Sequence, residues 1–81
     1  MTNYFTAEEI NFLKTLNFSE IERSYEKCMY FVNKGSHDII IKKDVCDEFT
    51  VEITDFQNNY KVTEVTYKTF FRLKNFFLKG R

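Results

Sequence analysis

Phe49, Val51 and Ile53 alternate with Glu48, Thr50, Glu52 and Thr54. A period of two places one set on each face of a strand, so this segment reads as half-buried, apolar on one side and wet on the other. A sheet built from such strands must be covered on one face, which directs the chain to an α+β architecture. The flanking segments supply partners. Asp38-Ile39-Ile40-Ile41-Lys42-Lys43 is short, β-branched and bounded by polar residues. Asp44 to Asp47 reads as a turn, Gln57-Asn58-Asn59 punctuates, and Tyr60 to Val65 reads as a further strand. The expectation is a three-stranded antiparallel meander with helices against one face.

The helices carry their own markers. Thr6 and Glu9 form a capping box, with Phe5 and Ile10 placed as the hydrophobic staple. Glu8 and Glu9 sit where the helix dipole favours negative charge, and Ile10, Phe12, Leu13 and Leu16 fall on one side. Ser19 and Glu22 repeat the capping-box spacing. Ile21, Tyr25, Cys28, Met29 and Val32 then form a helical stripe that Gly35 is suited to end. A second helix over Glu20 to Lys34 is expected. The alternative is a strand over Cys28 to Val32 feeding a turn at Asn33-Lys34-Gly35-Ser36.

A last helix is expected from Thr66 to Lys79, stopped by Gly80, with Tyr67, Phe70, Phe71, Leu73, Phe77 and Leu78 as its apolar face. Lys74 falls inside that face and Phe76 outside it, which suggests a second contact and hence a homodimer through this helix. Lys74 can also run its stem along the apolar surface. The element order expected is α-α-β-β-β-α, in a single domain over residues 1–81.

Composition narrows the classes. Hydrophobic content of 43% with 19% aromatic argues against disorder. Aromatic side chains bury roughly 150–250 Å² each, so a chain of this size can still build a core. No apolar run approaches the ~20 residues of a membrane span, and Met1-Thr2-Asn3-Tyr4 lacks the layout of a secretory signal. A soluble cytosolic protein without membrane contact is expected. The spacing Cys28-x₈-His37-x₈-Cys46 lacks the short paired ligands of structural zinc sites. Free thiols, a buried Cys28 and a loop Cys46, are expected, with no metal or cofactor. A single alanine and three arginines beside ten phenylalanines point to an AT-rich genome, as in an accessory product of a phage or mobile element.

The formal net charge of zero hides an asymmetry. Phe56 to Arg81 holds six Lys/Arg against one acid, Glu64, while the first 55 residues hold six against eleven acids. On the basic side, Lys68, Arg72, Asn75 and Lys79 step along one side of the last helix, with Phe76 or Tyr67 available to stack on a base. This is the footprint of a small nucleic-acid-binding or regulatory protein. On the acidic side, Asp44, Asp47, Glu48, Glu52 and Asp55 cluster around one strand, suited to docking a larger, basic-surfaced protein. The plain alternative for such charges is solubility and edge protection. The end offered by Ser19, Glu20 and Glu22 carries two carboxylates that would repel phosphates, so the first two helices do not read DNA. Catalysis has little support: His37 stands alone in a loop, neither cysteine has a nucleophile signature, and no Gly-rich phosphate loop occurs. The expectation is a non-catalytic protein-binding module, an inhibitor of a larger nucleic-acid-processing protein, with nucleic-acid binding as the alternative.

Overall fold

The first helix, α1 (Ala7–Thr15), begins as its caps dictate. Thr6 Oγ1 accepts the Glu9 N–H at 3.2 Å, and Glu9 Oε1 accepts the Thr6 N–H at 2.9 Å. Phe5 is buried and Ile10 packs against the core beside it. The computed structural model describes residues 5–23, 27–44 and 48–79.

The helix ends in a Schellman motif. The Phe18 N–H donates to the Leu13 carbonyl and the Asn17 N–H to the Lys14 carbonyl, each at 3.0 Å, with Asn17 left-handed at φ 69. Asparagine tolerates that conformation better than most side chains. Phe18 and Leu13, the flanking apolar pair, are both buried.

The chain leaves this motif as a strand, which overturns the expected second helix. β1 (Ser19–Arg23) and β2 (Lys27–Asn33) form an antiparallel pair in its place. Two features explain the misreading. Ser19 and Glu22 have capping-box spacing, but the Schellman turn sends Ser19 into the sheet. Cys28, Met29 and Val32 have helical spacing, yet Cys28, Tyr30 and Val32 are the residues buried. Their period is two, and a β-branched and aromatic run such as Cys28-Met29-Tyr30-Phe31-Val32 favours a pleated surface. The strand weighed as the alternative for this segment is the one found.

β3 (His37–Asp44), β4 (Phe49–Asp55) and β5 (Lys61–Tyr67) complete a five-stranded antiparallel sheet in the order β1-β2-β3-β4-β5. The expected sheet of three strands is thus corrected to five, its meander forming the last three, β3 to β5, displaced slightly from the expected bounds. Gly35, at φ 73, sits in the tight β2–β3 turn, where Lys34 N–H donates to the His37 carbonyl at 2.7 Å. A 3₁₀ turn, Phe56–Asn58, joins β4 to β5, with the Asp55 carboxylate accepting the Gln57 N–H. Asn59 and Tyr60 follow with positive φ. The last helix, α2 (Phe70–Lys79), starts later than expected because β5 runs on to Tyr67; Thr69 Oγ1 accepts the Arg72 N–H at its start.

Both helices lie on one face of the sheet. Leu13, Phe5 and Phe18 from the first helical region and Leu73 from α2 share a core with Cys28, Tyr30, Val32, Ile41, Phe49 and Val51. Phe12 meets Phe70 and Phe77 between the helices, with centroids 5.7 and 6.4 Å apart. Phe5 meets Tyr30 edge-on at 4.9 Å. Tyr30 is therefore part of the core. Lys43, on the same sheet face, is buried: its Nζ is 2.8 Å from Glu9 Oε1 and 4.9 Å from the centre of the Phe49 ring.

Candidate functional site

Strand alternation places the remaining side chains on the uncovered face. From β2 come Met29, Phe31 and Asn33; from β3, Asp38, Ile40 and Lys42; from β4, Thr50, Glu52 and Thr54; from β5, Val62, Glu64 and Thr66. Glu48 continues the alternation just ahead of β4. Phe31 and Ile40 are direct cross-strand neighbours, each half-buried, with Met29 two residues from Phe31. An apolar centre therefore lies within an otherwise polar surface.

The acidic residues around it are partly paired. Ile40, Glu52 and Glu64 stand in one cross-strand row, so the two carboxylates are directly opposed. Like charges in that position repel. Lys42 relieves them: its Nζ is 2.8 Å from Glu52 and 3.9 Å from Glu64. Asp38 accepts a hydrogen bond from the Asn33 amide at 2.7 Å. Among the residues of this face whose side chains are described, Asp38, Glu48, Glu52 and Glu64 stand against Lys42, so this part of the face is net negative.

The expected acidic cluster is regrouped by this geometry. Glu48 and Glu52 belong to the open face. Asp55 has the opposite parity; it lies 3.5 Å from His37 Nε2 and caps the 3₁₀ turn, so its role is at the connection. Asp47 and Cys46 lie outside the described residues, and of Asp44 only the backbone at the end of β3 is described. Glu64 and Asp38 join the face instead. The signal for Glu64 was its spacing from Val62 and Thr66; three consecutive isoleucines hid the parity of Ile40 and Lys42.

The basic residues occupy the opposite side of the molecule. Lys68, Arg72 and Lys79 are exposed, with Lys68 on the link before α2 and the other two on the helix. Phe76 is not free to stack on a base: it packs against Tyr67 at 5.6 Å and Phe77 at 5.0 Å. Lys74 folds back over Phe70 and Phe12, its Nζ 5.2 and 5.9 Å from the ring centres. Phe71 and Leu78, expected in the core face, are instead 71% and 59% exposed.

Where β5 passes into α2, Thr66, Tyr67, Lys68 and Arg72 line an open cleft of about 610 Å³. Burial pushes the Tyr67 phenol above its ordinary value of 10.0. Cys28 is buried, and no cluster of His, Cys, Asp and Glu among the described residues is arranged to hold a metal ion. No helix among them is long and apolar enough to cross a membrane. No protein-family model matches this chain, and neither a curated protein nor a solved structure does.

Proposed function

We propose that this protein is a non-catalytic binding module whose uncovered sheet face docks on a larger, basic-surfaced protein. One observation carries the reading: both helices cover the same side of the sheet, leaving Met29, Phe31 and Ile40 amid Asp38, Glu48, Glu52 and Glu64. An apolar centre with a charged rim is the usual anatomy of a protein interface. The rim sets the partner's sign and speeds encounter, while the centre supplies the desolvated anchor.

A protein that processes nucleic acid has a basic channel of the matching sign. Inhibition by occupying such a channel suits a small domain with one net-negative face. The alternative, nucleic-acid binding through Lys68, Arg72 and Lys79, keeps its charges but loses the stacking ring, because Phe76 is packed.

The test is affinity capture from a host lysate with wild-type protein and with Glu48→Gln/Glu52→Gln/Glu64→Gln. Wild type should retain a basic protein that the folded triple variant releases. Equal capture by both would remove the open face from the account.

A further inference from the structure

The two edges of the sheet differ. β1 is five residues long, and its register with β2 shifts between Glu20 and Glu22, a distortion that discourages another strand. β5 is seven residues long and pairs with β4 at every position without a shift. It is exposed from Lys61 to Thr66, contains neither proline nor glycine, and carries two charges, Lys61 and Glu64. Val62 and Val65 are 56% and 38% exposed. A long regular edge of this kind presents backbone N–H and C=O groups to any extended chain laid beside it.

The surroundings of that edge are selective. Register with β4 turns Lys61, Thr63, Val65 and Tyr67 toward the helix layer. At the end of the strand lies the cleft lined by Thr66, Tyr67, Lys68 and Arg72. Lys61, Lys68 and Arg72 enter no ion pair among the described residues, and no acid lines the cleft. An incoming strand would meet apolar surface at Val65 and positive charge near both ends.

We propose that β5 accepts an extended acidic segment of another protein as a sixth strand. Main-chain hydrogen bonds to the edge supply affinity, and carboxylates turned toward the helix layer are read by Lys61, Lys68 and Arg72. A second copy is a poor occupant, since two-fold pairing of β5 with itself sets the same cations of both copies on one side of the sheet. A nucleic acid is disfavoured because Phe76, the ring beside Tyr67, is packed against its neighbours. The cations proposed to read this segment, Lys61, Lys68 and Arg72, lie apart from Glu48 and Glu52 of the open face and prefer the opposite charge, so the two readings fail separately.

Fluorescence anisotropy with the full chain tests the proposal. The probe is a labelled peptide of roughly nine residues alternating valine and glutamate, long enough to span the strand. Saturable binding is expected, weakened about tenfold by Lys68→Glu/Arg72→Glu, as two exposed charge contacts allow. Glu48→Gln/Glu52→Gln, which leaves β5 intact, should leave it unchanged. A valine–lysine peptide should not bind. Methylating alternate backbone nitrogens should abolish binding in one frame and spare it in the other, because an added strand turns every second N–H toward its partner. The proposal is overturned by the absence of saturation, by equal loss in both frames, by equal binding of the lysine peptide, or by binding of single-stranded oligothymidylate in place of the peptide.

Discussion

Lys43 and Glu9 form a buried ion pair whose removal tests the account of the core. The lysine side chain is 5% and the glutamate side chain 9% exposed, and the pair joins β3 to the first turn of α1. The same Glu9 oxygen accepts the Thr6 N–H, so one carboxylate serves both the helix cap and the lysine. Lys43→Met leaves that carboxylate without its cation, and Glu9→Gln keeps the cap acceptor while removing the charge. Stranding one member of such a pair costs about 3–5 kcal/mol, the lower end applying here because the cap still satisfies the carboxylate. A domain of 81 residues is stable by roughly 4–12 kcal/mol, so either single change removes a large part of the total. Taking a urea m-value of about 1–1.5 kcal/mol/M, a loss near 3 kcal/mol lowers the midpoint by about 2–3 M. The double variant should recover most of this, because methionine packs against the Phe5 and Phe49 rings that lie beneath the lysine. Urea titrations of the four proteins give the double-mutant cycle. A double variant no more stable than the worse single variant refutes mutual compensation, and singles within about 0.5 kcal/mol of wild type refute the burial argument.

Thr6→Ala should cost about 1 kcal/mol by calorimetry or urea titration, through loss of the α1 cap. Asn17→Val should cost more than about 1 kcal/mol while Asn17→Gly is nearly neutral, since the position is left-handed; equal effects would contradict the Schellman geometry. Gly35→Ala should cost roughly 1 kcal/mol from positive φ alone, because an added Cβ meets nothing within 4 Å. The Tyr67 phenol has a raised folded pKa, so its contribution is full below the unfolded value of 10.0 and is lost as pH rises through the folded pKa. Stability should therefore fall in that alkaline range, and Tyr67→Phe should flatten the fall; an unchanged slope in urea titrations across pH contradicts it.

The parts of the fold legible from sequence were those where local signals and tertiary demands agree. The α1 capping box, the β4 alternation and the break at Gln57-Asn58-Asn59 each have one physical reading, and each stands in the structure. The segment Ser19 to Val32 failed because two readings share its residues. A capping-box spacing and a helical stripe are local, whereas burial of Cys28, Tyr30 and Val32 in the core, with Tyr30 edge-on to Phe5, is tertiary and decides the outcome. The candidate surfaces show the same division. β4 parity puts Glu52 on the uncovered face, whereas sequence proximity groups Asp55 with it and parity separates the two. Lys43 gave no signal of burial, since its partner Glu9 is 34 residues away.

What separates a docking face from an ordinary solvated one is its apolar centre, not its acids. A chain this short places its two helices on one side of five strands, so the other side must remain soluble, and threonine and glutamate suffice for that. Phe31 and Ile40 do not serve solubility, and their half-buried, cross-strand contact is modest in stabilising the sheet. Replacing Ile40 by threonine keeps a β-branched shape and the sheet propensity while removing the anchor. If the face is only solvated, Ile40→Thr should lose less than about 1 kcal/mol in urea titration and leave partner capture intact. If the face docks, the same small stability change should accompany loss of the captured protein, with a fall larger than that caused by Glu48→Gln alone, because buried central contacts outweigh rim charges. Retained capture in a folded Ile40→Thr protein would leave the acids as a solubility device.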